Sequence, residues 1–244
     1  MDNLTPQNKT DVLPFYKFTG IEKIKTKTLI LGKNGVGKTY CVRDIVKSGK
    51  KVLFISIASE AEGLTSIQEF NKNNDNIDIY VLNLQQLKEF ANNSSKYVGD
   101  YDVVFIDSIT ALYSLVCIEN GLDADEKSTT LMTWGKVGTQ ASNLYRKLLA
   151  IKKDIIFIGH TLINDSNRVA VKLEFGGQSF INNLFNPLTY VVYMYEESGV
   201  RKIMTKDNKY SGGKYEVEHI CKKRDPGNKI PDIINNITEL WSEE

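Results

Sequence analysis

The sequence predicts an α/β fold built on a mostly parallel sheet, with helices on both faces and an antiparallel edge contributed by the C-terminal part. Five short apolar runs rich in β-branched residues alternate with amphipathic segments, which is the order expected when helices connect parallel strands. The runs cover residues 27–32, 51–58, 77–83, 101–108 and 154–160. Hydrophobicity is nearly continuous within each run, which is typical of strands covered by helices on both faces.

Length and composition are those of an ordinary globular protein. The chain has 244 residues, 41% of them apolar and 25% charged, which excludes collagen-like, disordered and coiled-coil proteins. Its 31 basic and 30 acidic side chains nearly cancel, but they are segregated along the chain. Residues 201–230 contain nine basic and four acidic side chains, whereas residues 231–244 contain four acidic ones. The near-neutral total therefore does not exclude a local surface that binds nucleic acid.

One large domain preceded by an arm is expected from these patterns. Residues 1–20 are polar and then aromatic without periodicity, which predicts an N-terminal arm, and residues 21–244 form the predicted domain. The clearest helical periodicity lies in residues 137–151. Alternating apolar residues predict an antiparallel extension over about 187–225, and a C-terminal helix is predicted over about 231–242.

The expected compartment is a reducing, cytoplasmic one. The three cysteines, Cys41, Cys117 and Cys221, are widely spaced and form no pattern typical of a disulfide framework or a zinc site. The N-terminus has no apolar leader, and no apolar run approaches the length of a membrane span. We therefore expect no membrane association.

The segment GKNGVGKT, Gly32–Thr39, matches the phosphate-binding pattern GxxxxGK[ST] between a predicted strand and a predicted helix. Its glycines allow backbone N–H groups to point at an anion, and the helix N-terminus adds positive potential. We expect Lys38 to reach the β- and γ-phosphates and the Thr39 hydroxyl to ligate Mg²⁺. The predicted nucleotide-binding residues are Gly32, Lys33, Asn34, Gly35, Val36, Gly37, Lys38, Thr39 and Tyr40.

A second part of the site is predicted at Asp107, where a neighbouring apolar run ends 69 residues after Lys38. A carboxylate at this strand end suits the Mg²⁺ shell. The next residue is Ser108, not a glutamate, so a carboxylate that orients the attacking water has to come from elsewhere. Glu60 and Glu62 follow another predicted strand at the same edge of the sheet, and solvated loop acids are the alternative interpretation of both.

Two other classes of phosphate-binding protein are disfavoured. The segment Asn8–Asp11 matches the guanine-specific pattern NKxD, but it precedes the phosphate loop, and no DxxG follows the predicted Mg²⁺ strand. Small-molecule kinases usually need an arginine-rich lid, whereas the arginines of this chain are widely scattered.

With these motifs the chain resembles the RecA-type core ATPases, and more narrowly their short phage and prophage forms, AAA-family nucleotide-binding proteins. The resemblance spans about residues 25–235. It rests on the phosphate loop, GKNGVGKT (32–39), and on five later segments: SEAEGL (59–64), FIDSIT (105–110), TWGKVG (133–138), FIGH (157–160) and KKRDPGNKIPDII (222–234).

The resemblance implies ATP and Mg²⁺ as cofactors, with Lys38 and Thr39 at the phosphates and Asp107 in the Mg²⁺ shell. It also implies that Glu62 or Glu60 orients the attacking water. A glutamate followed closely by glycine favours Glu62.

The resemblance further implies that His160 senses the γ-phosphate and that Lys222 and Arg224 act on the γ-phosphate of a neighbouring subunit. The alternative for His160 is a strand-end histidine that is hydrogen-bonded to backbone. The alternative for Lys222 and Arg224 is a solvated strand face. The segment 162–180 falls where RecA-type proteins contact DNA, with Arg168 and Lys172 as candidate phosphate ligands. The same segment is also compatible with a plain hairpin followed by a helix start.

The implied function is ATP binding and hydrolysis on single-stranded DNA, in phage-type recombination, annealing or replication. The implied partners are single-stranded DNA and further copies of the chain, assembled as a ring or a filament. A phage-encoded protein of this kind acts in the bacterial host cell. Two alternatives remain at this point: a nucleotide-switched scaffold that binds protein partners without DNA, and a small helicase-like motor accessory.

Overall fold

The computed structural model describes residues 25–57, 64–122, 131–163, 169–171, 178–197 and 200–204. Its strands are β1 (Lys27–Gly32), β2 (Val52–Ile57), β3 (Ile77–Leu82), β4 (Val103–Asp107), β5 (Asp154–Ile163), β6 (Val169–Val171), β7 (Tyr190–Glu197) and β8 (Val200–Met204). Its helices are α1 (Val42–Lys47), α2 (Thr65–Lys72), α3 (Leu84–Asn92), α4 (Ile109–Glu119), α5 (Leu131–Leu149) and α6 (Gln178–Leu184), with 3-10 turns at Thr39–Cys41 and Ser94–Lys96. The predicted arm and the predicted C-terminal helix lie outside the described residues.

The sheet has the order β3-β2-β4-β5-β1-β7-β8, and β6 pairs with β5. Every neighbouring pair from β3 to β7 is parallel, whereas β8 is antiparallel to β7 and β6 is antiparallel to β5. All five apolar runs of the sequence form strands. The predicted α/β class with a mostly parallel sheet and an antiparallel edge is thus confirmed.

The direction of β7 corrects one detail of the prediction. The extension over about 187–225 is predicted to be antiparallel, but Tyr190–Glu197 lies parallel to β1, with Thr28 opposite Tyr190 and Gly32 opposite Met194. Only its other edge is antiparallel, where it pairs with β8. The parallel arrangement is possible because α6 precedes β7 and returns the chain to the amino end of the sheet.

Helices cover both faces of the sheet. On one face α1 and α2 pack on β1, β2 and β4 around Ile45, Ile67 and Phe105. On the other face α3, α4, α5 and α6 pack around a larger core that includes Tyr113 and Tyr145. Strands β1, β2 and β4 are buried along almost their whole length, as their continuous hydrophobicity predicts.

Strand β3 departs from that expectation because it forms one edge of the sheet. Its pattern of exposure is mixed, and residues Tyr80 and Val81 are 52% and 44% exposed. A strand at the edge lacks a neighbour on one side, so its apolar residues are not fully enclosed.

Polar side chains mark where two helices begin. The Asn83 side chain accepts a hydrogen bond from the Gln86 backbone N–H, and the Gln86 side chain accepts one from the Asn83 N–H, which forms a capping box at α3. The Ser108 hydroxyl accepts from the Ala111 N–H at 3.1 Å and caps α4. Among the described helices, none has the length and apolarity needed to span a bilayer.

Candidate functional site

Parallel pairing gathers the predicted site residues at one edge of the sheet. Strand β5 lies between β4 and β1, so the carboxyl ends of these three strands are neighbours. Gly32, the last residue of β1, pairs with His160 of β5, and Asp107 is the last residue of β4. This edge is where open parallel sheets bind ligands.

The start of the phosphate loop leaves room for glycine only. A Cβ atom on Gly32 would lie 2.6 Å from the Met194 carbonyl oxygen of β7 and 2.9 Å from Cγ1 of Val36. Gly35 and Gly37 have φ angles of 79° and 96°, a region that favours glycine. The glycines of the motif thus allow the chain to turn tightly against β7.

Lys38 is folded back over the loop. The residue is only 4% exposed, and its Nζ donates hydrogen bonds to the carbonyl oxygens of Gly32 at 2.9 Å and Lys33 at 2.8 Å. These carbonyls hold the ammonium group inside the turn. The ammonium group therefore lies against the backbone of the phosphate loop.

Thr39 and Asp107 are in direct contact. The Thr39 hydroxyl donates a hydrogen bond to Oδ2 of Asp107 at 2.5 Å, joining the 3-10 turn after the loop to the end of β4. Asp107 is buried, with 7% of its surface exposed. Two residues that are 68 positions apart in the chain thereby place two oxygen ligands side by side.

This pair fits a magnesium ion by the chemistry of its donors. Mg²⁺ prefers hard oxygen ligands, and it usually takes one or two from the protein while phosphates and water supply the rest. No cluster of three or more His, Cys, Asp or Glu side chains occurs in the described ranges. A hydroxyl beside one carboxylate supplies the one or two protein oxygens that a magnesium ion usually takes.

Polar contacts also connect β4, α4 and β5 next to this pair. The peptide bond between Asp107 and Ser108 is cis, and α4 begins directly after it. The backbone N–H of His160 donates to the Thr110 hydroxyl at 3.0 Å. His160 was expected at the end of its strand, but β5 continues to Ile163 and pairs there with β6. The first turn of α4 therefore ties the end of β4 to the middle of β5.

Next to the 3-10 turn that follows the loop, the guanidinium of Arg43 contacts two aromatic rings. Its Cζ is 4.2 Å from the ring centroid of Tyr40 and 4.9 Å from that of Phe70. Tyr40 directly follows Thr39, Arg43 lies in α1, and Phe70 belongs to α2. The spacing of Tyr40 and Arg43 by three residues is visible in the sequence, whereas the contribution of Phe70 depends on how α2 packs.

Burial shifts the pKa values of one group near the loop and of one at the start of β1. Burial raises the pKa of the Asp44 carboxyl in α1, against the opposing influence of Lys47 and Arg43. Burial lowers the pKa of Lys27 to about 8, although Asp154 opposes the shift. Lys27 begins β1 at the opposite edge of the sheet from the phosphate loop.

The other predicted site residues lie outside the described part of the chain: Glu60, Glu62, Arg168, Lys172, Lys222 and Arg224. Around the predicted DNA segment, β5 and β6 form an antiparallel pair and α6 begins at Gln178. This agrees with the plainer interpretation of a hairpin followed by a helix start.

Two contacts at the site could not be predicted from the local sequence. The Met194 carbonyl limits the size of the first loop residue, and the Thr110 hydroxyl holds the His160 backbone. Both act through contacts between segments that are distant in the chain. In the sequence, Ser108 and Thr110 stand out only because they follow Asp107 in the segment FIDSIT (105–110).

Comparisons with known proteins give a family match and a similarity to two solved structures. The fold is similar to that of the RadB recombinase, with a TM-score of 0.42 and 16% identity over 72% of this chain and 78% of that chain. It is also similar to a DnaB-like replicative helicase, with a TM-score of 0.42 and 12% identity over 72% of this chain and 48% of that one. No curated protein matches the sequence. Residues 24–214 match the model of a family described as an AAA domain, and because this match covers most of the sequence, the chain belongs to the AAA domain family AAA_24.

Proposed function

We propose that this chain binds ATP with Mg²⁺ at the Gly32–Thr39 loop and hydrolyses it on single-stranded DNA, in phage-type recombination, annealing or replication. The observation that supports nucleotide binding most strongly is the arrangement of Lys38, Thr39 and Asp107 at one edge of a parallel sheet. A glycine loop, a buried ammonium group and a hydroxyl–carboxylate pair together provide complementary charge for a metal-bound triphosphate.

Lys38 has a specific part in this proposal. Its ammonium group donates to two carbonyls of its own loop, and an entering phosphate offers charged oxygens as better acceptors. We expect the ammonium to exchange at least one carbonyl for phosphate. The turn is already formed, so little chain ordering is required when the anion binds.

Thr39 and Asp107 would hold the metal ion. The hydroxyl oxygen of Thr39 would bind it, and the carboxylate of Asp107 would bind it or accept hydrogen bonds from its water ligands. When bound, Mg²⁺ neutralises charge on the β- and γ-phosphate oxygens. Burial of Asp107 strengthens the interaction of its charge with a cation, because little water screens it.

Hydrolysis also requires a group that orients water, and Glu62 is our first candidate, with Glu60 as the alternative. Both follow β2, a neighbour of β4 in the sheet. Glu62→Gln should abolish ATP turnover but keep ATP binding, whereas Glu60→Gln should retain turnover. The reverse result would assign the role to Glu60. His160, which pairs with Gly32, is proposed as the γ-phosphate sensor.

Assembly is proposed to supply a further cation. Lys222 and Arg224 belong to the basic stretch 201–230, and a cation from a neighbouring subunit would offset charge that develops during phosphoryl transfer. Mixing Lys38→Ala with Arg224→Ala subunits tests this. Recovery of turnover in the mixture supports action across an interface, and its absence opposes it.

Binding of DNA is proposed from charge in the sequence. The stretch 201–230 has an excess of five basic side chains, and Arg168 and Lys172 add two more in the segment after β5. Contacts with phosphates release counterions, so affinity for single-stranded DNA should fall steeply as salt rises. Substituting Arg168 and Lys172 by alanine should reduce this slope.

The decisive experiment measures ATP turnover by the purified full chain with and without single-stranded and double-stranded DNA, while light scattering reports its size. Stimulation by single-stranded DNA that disappears at high salt supports the proposal. Turnover that is indifferent to DNA at low salt would favour the nucleotide-switched scaffold. Stimulation by both kinds of DNA with strand separation would favour the motor accessory.

A further inference from the structure

The pairing between β4 and β5 stops before it reaches His160. It ends with Ile106 opposite Phe157, whereas β5 continues past His160. The same register would place residue 109 opposite His160, but residue 109 already belongs to α4. A backbone N–H that is shielded from water needs an acceptor. The N–H of His160 therefore takes its acceptor from outside β4.

Thr110, in the first turn of α4, supplies this acceptor. Its hydroxyl oxygen lies 3.0 Å from the backbone nitrogen of His160, and the residue is buried, with 5% of its surface exposed. A valine would fill almost the same volume, so packing alone does not require a hydroxyl here. Burying a hydroxyl group is costly unless it is hydrogen-bonded. The contact with β5 therefore accounts for threonine at this position.

The first turn of α4 is itself held in place. The Ser108 side chain caps the helix, and Ile109 is fully buried. On the β5 side, a Cβ atom on Gly159 would lie 2.7 Å from Cδ2 of Leu31 and 3.5 Å from Cγ2 of Ile109. The missing side chain at Gly159 thus allows this turn to lie close to β5. The end of β4 and the backbone of His160 are connected by a short series of packed contacts.

We propose that Thr110 is a positioning residue for ATP hydrolysis, which fixes the backbone of His160 relative to Asp107 and so orients His160 toward the γ-phosphate. This inference rests on the proposed function, since it requires His160 to act on that phosphate. His160 lies opposite Gly32, where the phosphate loop begins, so a small displacement of its backbone changes its distance from a bound triphosphate. Errors of about 1 Å in the placement of a group at a reacting centre are enough to slow a reaction strongly.

Steady-state turnover of ATP with Mg²⁺ by the full chain is the first test. Thr110→Val keeps the shape of the side chain but removes the acceptor, and it should lower kcat about tenfold while KM for ATP stays within about a factor of two. Thr110→Ser restores the hydroxyl and should recover most of kcat. Thr139→Val is the matched control, since Thr139 is an exposed helical threonine whose hydroxyl donates to the Gly135 carbonyl of its own helix. It should leave kcat unchanged.

Calorimetry with Mg²⁺ separates positioning from a general structural effect. The probes are ADP and a non-hydrolysable ATP analogue, which differ in the γ-phosphate. Wild-type protein should bind the analogue more tightly than ADP. Thr110→Val should narrow this difference and leave ADP affinity within about a factor of two. In a His160→Ala background the same substitution should narrow it no further, because Thr110 acts through His160.

Three results would overturn the role of Thr110 alone, provided that His160→Ala is impaired. They are an unchanged kcat in Thr110→Val, an equal loss of affinity for ADP and for the analogue, and a kcat in Thr110→Ser as low as in Thr110→Val. If His160→Ala keeps the turnover of wild type, or if wild-type protein neither binds nor hydrolyses ATP, the proposed function fails and this inference fails with it. The His160→Ala and wild-type measurements therefore distinguish the two kinds of failure.

Discussion

Replacing Gly32 by alanine tests the architecture of the loop by adding a single methyl group. The new Cβ would lie 2.6 Å from the Met194 carbonyl oxygen and 2.9 Å from Cγ1 of Val36, closer than Cβ atoms approach other atoms in proteins. Val36 can rotate, but Met194 is held in β7 by its parallel pairing with Gly32 itself. The main chain of the loop or of β7 therefore has to move.

The expected size of the effect follows from this clash. Overpacking by one methyl group against a fixed neighbour costs about 1–3 kcal/mol of unfolding free energy. For a chain of this length, the corresponding decrease in Tm is roughly 3–9 °C. Because the displaced residue begins the phosphate loop, affinity for tripolyphosphate should also fall. Urea denaturation and calorimetry measure the two effects.

Gly135→Ala is a matched control with the opposite expected sign. Gly135 lies in α5, and a Cβ there would meet no atom within 4 Å. In a helix, alanine is favoured over glycine by about 0.5–1 kcal/mol, so this variant should be more stable than wild type. Equal stability of Gly32→Ala and wild type, with unchanged tripolyphosphate binding, would refute the close approach of β7 to the loop.

Three further predictions concern stability. The pKa of Lys27 is lowered from 10.5 to about 8 in the folded state, so its contribution to stability is present above pH 10.5 and is lost as pH falls through 8. The free energy of unfolding of wild type relative to Lys27→Met should therefore rise between pH 7 and 10. A constant difference between the two proteins over this range would contradict the shift. Tyr145→Phe removes a buried hydrogen bond of 2.8 Å to the Leu184 carbonyl oxygen. It should lower the free energy of unfolding, measured by urea denaturation, by about 1–2 kcal/mol. An unchanged free energy of unfolding would mean that another donor replaces the hydroxyl. Ser108→Ala removes the cap of α4 and should cost about 1 kcal/mol, with Ser108→Asn expected to recover part of it; equal stability of all three proteins would exclude the cap.

The strands were predictable from the sequence because their burial is local in origin. A strand such as β4 is enclosed on both faces, so every residue is apolar until Asp107 ends it. Helix α5 was predicted over 137–151 but begins at Leu131. The reason is that Leu131 and Met132 are 91% and 83% exposed, so the first turns of this helix contribute no pattern of buried positions.

The direction of β7 was not predictable from its own residues. Alternation and chain order suggest a hairpin with the following strand, and that pairing with β8 does exist. Strand β7 pairs in parallel with β1 because α6 precedes it and because no other described strand occupies that edge of β1. Both are properties of the whole fold. Strand direction is thus decided by connection and packing, and not by side-chain alternation.

The candidate site likewise has one part that was predictable from the sequence and one part that was not. The motif predicted that Lys38, Thr39 and Asp107 belong together, because phosphate chemistry needs those groups at fixed places. The structure brings Thr39 and Asp107 into contact and folds Lys38 over the same loop. The stack around Arg43 was not predicted, since Phe70 reaches it only through the packing of α2. Contacts between segments that are distant in sequence leave no periodic trace in either segment.

Magnesium-dependent ATP turnover by the purified full chain, compared between wild type and Lys38→Ala, tests the central claim most directly. Lys50→Ala serves as the control, because Lys50 is an exposed lysine beyond α1 and outside the loop. We predict turnover in wild type and Lys50→Ala, its loss in Lys38→Ala with the fold intact by circular dichroism, and no turnover without Mg²⁺. Undiminished turnover in Lys38→Ala, or failure of wild-type protein to bind or hydrolyse ATP with Mg²⁺, would contradict the proposed nucleotide site.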